Sequence, residues 1–487
     1  MMKLNRLQIV FLLAAALVLG FLGAYAGISL AGDNDSGQQT ASRENLKEKL
    51  PGDEPETLTG DLQKIEEAYA LIQENYVEEV EGNELVEGAI EGMLATLEDP
   101  HSSYLNLESM DEFNQQIESS FEGIGAEVSM VNGVVTIVSP IKDSPAEKAG
   151  LRPNDQVLTV DGEDLEGLNL NEAVAKIRGE KGTEVTLEII RAASDPFDVV
   201  IVRDTIPVET VYSETETIDG NTTGIIEITN FSENTATEFM EHLNELEESG
   251  LDGLVIDVRG NPGGLLNVVE DMLALFVPED LPFIQIEDAE GNVEAIHSDL
   301  KETKEYPISV LIDEGSASAS EILAVALKEL DNDIVGQTSY GKGTVQTAVP
   351  LGDGSSIKLT TFKWLSPSGE WINEVGVEPT IPVDQPDYYY ANPITIEEPF
   401  GLDDTDEGIA NIQLMLDGIG YDPGRMDGYF SEETEEAVKQ FQEDNDLSAT
   451  GEVDEETAGL IDTRVIEQIR SGEDDVQLEK ALEELYK

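Results

Sequence analysis

The period of the hydrophobic pattern changes repeatedly along the chain, and each change marks a module. Residues 9–31 carry no charge, follow Lys3 and Arg6, and give way to Asp33. That run is long enough to cross a bilayer, and its flanking charges set the N-terminus on the cytoplasmic side. Ala24-Tyr25-Ala26 has the small-x-small form of a signal-peptidase site, so a cleaved signal is the competing reading. The apolar run continues past it through Ile28 and Leu30, which favours an uncleaved anchor. Residues 32–60, rich in Gly, Ser, Gln, Pro and Glu, predict a flexible linker. Helical spacing follows in Leu62, Ile65, Ala68, Tyr69, Ile72 and Tyr76, then in Leu85, Ala89, Ile90, Met93 and Leu97. Region 61–120 is therefore helical, either as a dimerisation element or as packing for the next domain.

From residue 121 the period shortens to that of β-structure, with strands expected at 125–130, 134–138, 157–160 and 185–191 and one helix at 171–177. This segment, 121–205, is one domain. In the next, 206–390, buried strands at 224–229, 254–258 and 308–312 alternate with helices at 265–276 and 319–330, an α/β pattern. Helical texture returns at 404–465 and in a tail, 466–487. The whole is a multidomain α+β chain: membrane helix, helical region, β-rich domain, α/β core and a small helical module.

Charge narrows the possible functions. The chain holds 103 Asp and Glu against 27 Lys and Arg, a formal net charge of −76. Such a field repels phosphates, so nucleic acid is excluded as a partner. The carboxylates are spread over every segment after Asp33, and a hydrated acidic surface of this kind fits adaptation to high salt. No cysteine is present, which removes disulfides, thiol nucleophiles and thiolate metal sites. With three histidines, His-based metal clusters are not expected either, and no cofactor or metal is implied.

What chemistry remains lies in the α/β segment. A strand that ends in a small-residue turn and opens a helix can expose a nucleophile, and Asp313-Glu-Gly-Ser-Ala-Ser-Ala-Ser-Glu-Ile322 has that form. Ser316, Ser318 and Ser320 are candidates there, and simple helix capping is the alternative. Downstream, Ser339-Tyr-Gly-Lys-Gly-Thr-Val-Gln346 places Lys342 between two glycines that let the chain bend. A lysine whose pKa is lowered by burial can act as a general base, while a surface turn is the plainer reading.

Taken together, the two segments resemble the C-terminal processing, or tail-specific, serine proteases. That resemblance implies Ser318 as nucleophile, Lys342 as base and Gln346 as the residue that orients the lysine. Four residues of ideal strand span about 13 Å, so residues 341–343 are expected to curl. The turn Asp257-Val-Arg-Gly-Asn-Pro-Gly-Gly264 resembles the family's glycine-rich turn, and implies an oxyanion hole from the N–H groups of Gly263 and Ala319, with the choice of glycine open. His101, in Asp99-Pro-His-Ser-Ser-Tyr104, matches a family segment without a catalytic role.

Phe121-Glu-Gly-Ile-Gly-Ala126, the run Ser144-Pro-Ala-Glu-Lys-Ala-Gly-Leu-Arg-Pro-Asn-Asp-Gln-Val157 and Asp161-Gly162 resemble a PDZ domain. A peptide C-terminus is the implied ligand, received by Gly123, Ile124, Gly125 and Ala126, with Arg178 as the residue coupling it to the protease. Residues 404–465, with Ile412-Gln-Leu-Met-Leu416, Asp427-Gly-Tyr-Phe430 and Phe441-Gln442, resemble the three-helix peptidoglycan-binding domain. This module either contacts the wall or, together with the tail, assists a homodimer. The expected function is a PDZ-gated, extracytoplasmic serine endopeptidase; the alternative is a non-catalytic PDZ and wall-binding scaffold.

Overall fold

The computed structural model describes residues 58–487, apart from 119, 132, 166, 192–195 and 397. The expected membrane helix and most of the linker lie outside the described residues; among those described, no helix is long and apolar enough to cross a membrane. The chain divides into a unit ending at Ile90 and a second running from Glu91 to Lys487. The first contains α1 (Leu58–Asn75) and the start of α2 (Gly82–Ala95), at the two places the helical spacing predicts. The apolar stripe of α1 stays solvent-exposed at Leu62, Ile65, Leu71 and Ile72.

The second unit opens with β1 (Ser103–Leu105) and α3 (Leu107–Ile117), whose N-cap Asn106 accepts from Ser109 N–H. A two-stranded ribbon of β2 (Ser120–Gly123) and β9 (Asp204–Pro207) frames the β-rich domain at both of its ends. Between them come β3 (Ala126–Val131), β4 (Val134–Pro140), α4 (Pro145–Ala149), β5 (Asp155–Val160), β6 (Glu163–Asp164), α5 (Leu170–Ile177), β7 (Glu184–Arg191) and β8 (Phe197–Val202). The sheet runs β3-β4-β5-β7-β8, with β6 on β5. Its apolar positions, among them Val135, Ile137, Val157, Leu187 and Ile201, close one core with Ala173 and Ile177 of α5.

The α/β core is built from β10 (Val211–Ile218), β11 (Asn221–Ile228), α6 (Thr235–Ser249), β12 (Gly253–Asp257), α7 (Leu266–Leu273), β13 (Pro282–Glu287), β14 (Val293–His297), β15 (Ile308–Ile312), α8 (Ala319–Lys328), β16 (Asp333–Gly336), β17 (Thr344–Pro350), β18 (Ser356–Leu365) and β19 (Ile381–Pro382). One sheet runs β10-β11-β12-β15-β16-β19, parallel except for the first pair. A second, antiparallel sheet pairs β18 with β1, β13 and β17.

Parallel strands buried on both faces read as continuous apolar runs, and here each face has its own cover. Ile226, Leu254, Ile256, Val310 and Ile334 face α6, α7 and α8. The alternate positions Ile225, Val255, Leu311 and Val335 pack instead against Ala481, Leu482 and Leu485. Those belong to α12 (Val476–Glu484) and its C-cap, which follow the helical module of α9 (Glu407–Gly418), α10 (Glu432–Asp444) and α11 (Glu455–Ser471). The sequence offers this tail as an aid to dimerisation together with the module. Its apolar face packs on this chain's own core sheet.

Candidate active site

The turn after β15 sorts the three candidate serines. Ser316 and Ser320 are fully buried, and their hydroxyls donate to main-chain carbonyls of the neighbouring glycine-rich turn: Ser316 Oγ to Val258 O and Ser320 Oγ to Asn261 O, both at 2.8 Å. They are rivets between two loops. Ser318 alone of the three is partly exposed, at the N-cap of α8 with φ 55° and ψ −110°. A non-glycine residue in that region is strained, which is the conformation that lifts a nucleophile out of a strand-to-helix turn. Asp313 Oδ1 fixes the approach to it, accepting from Gly260, Gly315 and Ser316 N–H at 2.8–3.1 Å.

Gly263 lies against this serine. A side chain there would come within 2.6 Å of Ala317 O, 2.8 Å of Ser318 Cβ and 2.9 Å of Ala319 N, at a φ of +99° that itself favours glycine. The two expected oxyanion donors are thus neighbours, but they are not equivalent. Ala319 N–H opens a helix, where no intrahelical acceptor exists for it. Gly263 N–H donates to Asn261 Oδ1 at 2.9 Å, and Asn261 is itself locked by a bond from Nδ2 to Ile228 O. Gly264 could not be replaced either, since a Cβ would meet Phe231 O at 2.2 Å.

The lysine segment curls as its glycines suggest. Gly341 has φ +88°, and the pairing of β17 with β18 slips between Val345 and Gln346. Around Gly343, Trp371 Nε1 donates to its carbonyl at 2.8 Å and its own N–H donates to Asn373 Oδ1. Trp364 Nε1 caps the Lys342 carbonyl at 2.8 Å. Burial pushes the Lys342 amine below its ordinary value and Lys358 adds to this, against the opposing charges of Glu321 and Asp99. Gln346 Nε2 is occupied by Thr344 Oγ1 and Thr360 Oγ1, at 3.0 and 3.1 Å, so its carbonyl is the atom it has to offer a lysine.

Three contributors escaped the sequence reading. The first is Glu321, whose carboxylate bonds to the main chain at both Ser318 and Lys342; the pattern Ser318-x-x-Glu321 at a helix start was the available signal. The second is the segment before β1. Ser102 Oγ donates to Asp99 Oδ2 and accepts from Thr360 N–H, which ties this segment to β18, and Asp99 and His101 lie within electrostatic reach of the lysine. Burial and the Lys342 charge both lower the His101 pKa. The third is Arg259, which joins the glycine-rich turn to the tail: it pairs with Asp257 at 2.6 Å and with Asp475 at 2.7 Å.

In the β-rich domain Ile124 is buried and its carbonyl accepts from Ala146 N–H, while Gly125 O accepts from Ile141 N–H. Gly125 has φ +73° and faces Ser144 so closely that a Cβ would lie 2.5 Å from it. Gly123 ends β2, and Ala126 begins β3. Arg178 caps α5, is exposed, and stacks over the Phe121 ring at 4.9 Å while Nη1 donates to Gln115. Among the described residues no carboxylate pairs with it.

Comparison with known proteins decides the family. The chain is 46% identical over 485 residues, 99% of its length and 100% of the relative's, to the carboxy-terminal processing protease CtpB of Bacillus subtilis. It belongs to the carboxy-terminal processing proteases of peptidase family S41. The peptidase family S41 profile matches residues 222–383, the PDZ domain profile 136–191, the peptidoglycan binding domain profile 405–461 and the activating protease CtpB N-terminal domain profile 17–109. Another relative, CtpA of the same organism, is 41% identical over 88% of this chain and 91% of its own. Among solved structures, a photosystem II D1 C-terminal processing protease is 28% identical, covering 66% of this chain and 92% of that one with a TM-score of 0.40. The chain is accordingly a C-terminal processing serine peptidase with a PDZ domain.

Proposed function

We propose that this peptidase cuts with Ser318 as nucleophile, Lys342 as general base and Gln346 as the residue that orients the lysine. The observation that carries the reading is the sorting of the three serines: Ser316 and Ser320 are buried rivets, and Ser318 is the strained, accessible one. Lys342, whose neutral form is favoured by desolvation, accepts in that form the proton of Ser318 Oγ as that oxygen attacks the substrate carbonyl carbon. Ala319 N–H receives the developing oxyanion. Gly263 joins it when its N–H leaves Asn261. Collapse of the tetrahedral adduct passes the proton from Lys342 to the leaving amine and leaves an acyl-Ser318. Water, deprotonated by the same lysine, then releases the acid.

The PDZ domain takes a substrate C-terminus at the 123–126 loop and β3, with the exposed guanidinium of Arg178, which pairs with no carboxylate among the described residues, as the group that meets its charge. The uncharged run 9–31 supports a membrane-held or secreted enzyme acting outside the cytoplasm, and the acidic composition supports a salty exterior. The exposed stripe of α1 supports a homodimer, and the three-helix module supports contact with peptidoglycan.

The test is cleavage of a peptide tagged at its C-terminus by the wild-type chain, Ser318→Ala and Lys342→Ala. Both variants should bind the peptide and lose turnover by about 10³-fold or more, the scale on which a triad member acts. Peptide binding without cleavage in all three would leave the scaffold reading, and equal cleavage by all three would overturn the assignment of Ser318 and Lys342.

A further inference from the structure

We infer that Glu321 is a positioning residue for catalysis, the carboxylate that fixes the lysine-bearing loop against the nucleophile turn; this rests on the Ser318–Lys342 reading above. Its side chain is fully buried. Oε2 accepts from Ser318 N–H at 2.7 Å and from Lys342 N–H at 2.8 Å. Oε1 accepts from Ser339 Oγ at 2.6 Å and from Gly341 N–H at 2.7 Å. Four donors from two chain segments therefore converge on one group, and the main chains of nucleophile and base are tied to a single shared oxygen. Among the described residues no lysine or arginine forms an ion pair with it.

A buried carboxylate without a cationic partner is costly unless its lone pairs are filled. Here they are filled by short bonds, and Glu321 occupies the third position of α8, where the helix field favours a negative charge. Its structural need could have been met by any acceptor for one or two loop N–H groups. What the observed arrangement adds is registry: neither Ser318 nor Lys342 can shift along its own segment without breaking a bond to the same atom. Displacements of about 1 Å in such a pair cost on the order of 10²-fold in rate.

Glu321 also acts on the base through its charge. The groups around the Lys342 amine are Lys358 of β18, Asp99 and His101 ahead of β1, and Glu321 of α8. Burial and Lys358 lower the lysine's pKa; Glu321 and Asp99 raise it. Removing the Glu321 charge thus lowers it further, and the acidic limb of kcat/KM, which reports loss of the neutral amine, moves to lower pH.

Glu321→Gln keeps the volume but turns one oxygen into an NH2 that faces N–H donors, so at least one main-chain donor loses its acceptor. Glu321→Asp keeps the charge and shortens the reach. The measurement is kcat and KM of the full chain on a C-terminally tagged peptide across pH, beside Ser318→Ala. We expect both Glu321 variants to lose about 10²-fold in kcat with KM little changed. The acidic limb should move down in Glu321→Gln and stay in place in Glu321→Asp. A folded Glu321→Gln with an unmoved limb, or a Glu321→Asp with wild-type kcat, overturns the inference. If Glu321→Gln does not fold by circular dichroism, the kcat of Glu321→Asp decides it alone. Retained cleavage by Ser318→Ala would instead overturn the reading on which it rests.

Discussion

Replacing Arg259 by methionine should destabilise the protease core by about 3–5 kcal/mol, the cost of breaking a buried ion pair by removing one partner. The guanidinium makes six contacts of 2.6–3.1 Å: three to Asp257, two to Asp475 and one to Gln477. Its side chain is 17% exposed, against 14% and 13% for the two carboxylates, so solvent replaces little of what is lost. Each carboxylate keeps other donors, Arg259 N–H for Asp257, and Gln385 Nε2 with Leu478 N–H for Asp475, which argues for the lower half of that range. Methionine preserves most of the apolar stem and so isolates the charge.

The assay is urea unfolding followed by tryptophan fluorescence, with Trp364 buried in the same core. pH supplies an internal control. Burial pushes the Asp475 carboxyl up, but its bonds to Arg259 and the charge of that residue outweigh this, and its pKa lies below the ordinary value. A carboxyl depressed on folding contributes stability that is present above its unfolded value and is lost as pH falls through its folded one. That acid-side loss should be visible in the wild type and reduced in Arg259→Met. Because Gly260 and Gly263 follow within four residues of Arg259, turnover should fall as well. An unfolding midpoint within error of the wild type at neutral pH would refute the reasoning.

Two further outcomes follow from the same contacts. Leu482→Ala, at a site 6% exposed between α12 and the core sheet, should cost about 2–5 kcal/mol in urea unfolding; a loss near zero would mean that the tail does not cover the sheet in solution. Lys358→Met removes a positive charge that lowers the Lys342 pKa, and should move the acidic limb of kcat/KM to higher pH, opposite in sign to the Glu321→Gln shift; a limb that moves down or stays would dismiss Lys358 as a tuner of the base.

Much of the fold was legible because each element announces its period. The strand expected at 308–312 is β15 to the residue, and the helix expected at 319–330 is α8, ending two residues earlier at Lys328. The strand runs of the β-rich domain likewise fall within a residue or two of their expected ends. Long-range pairings were not legible. Continuous apolar runs at 254–258 and 308–312 do imply two covered faces, but nothing local says that the second cover comes from residues more than 160 positions further on. The site divides in the same way. A helix-start serine and a glycine-flanked lysine are local features, whereas the burial of Ser316 and Ser320, the slip at Gln346 and the four bonds of Glu321 exist only once two loops meet. Of these, Glu321 alone left a local trace, as a glutamate three residues after a helix-start serine.

The docking of α12 has a consequence for biogenesis. Val255, Leu311 and Val335 lie on strands that are synthesised well before the helix that shields them. While the chain is being made, that apolar face has no partner from its own sequence, and incomplete cores of this kind are prone to aggregate or to engage chaperones. Arg259 ties the same late helix to the turn beside Ser318. In a nascent chain, therefore, the contacts of Arg259 to Asp475 and the cover of this sheet face can form only after residues 475–485 have arrived.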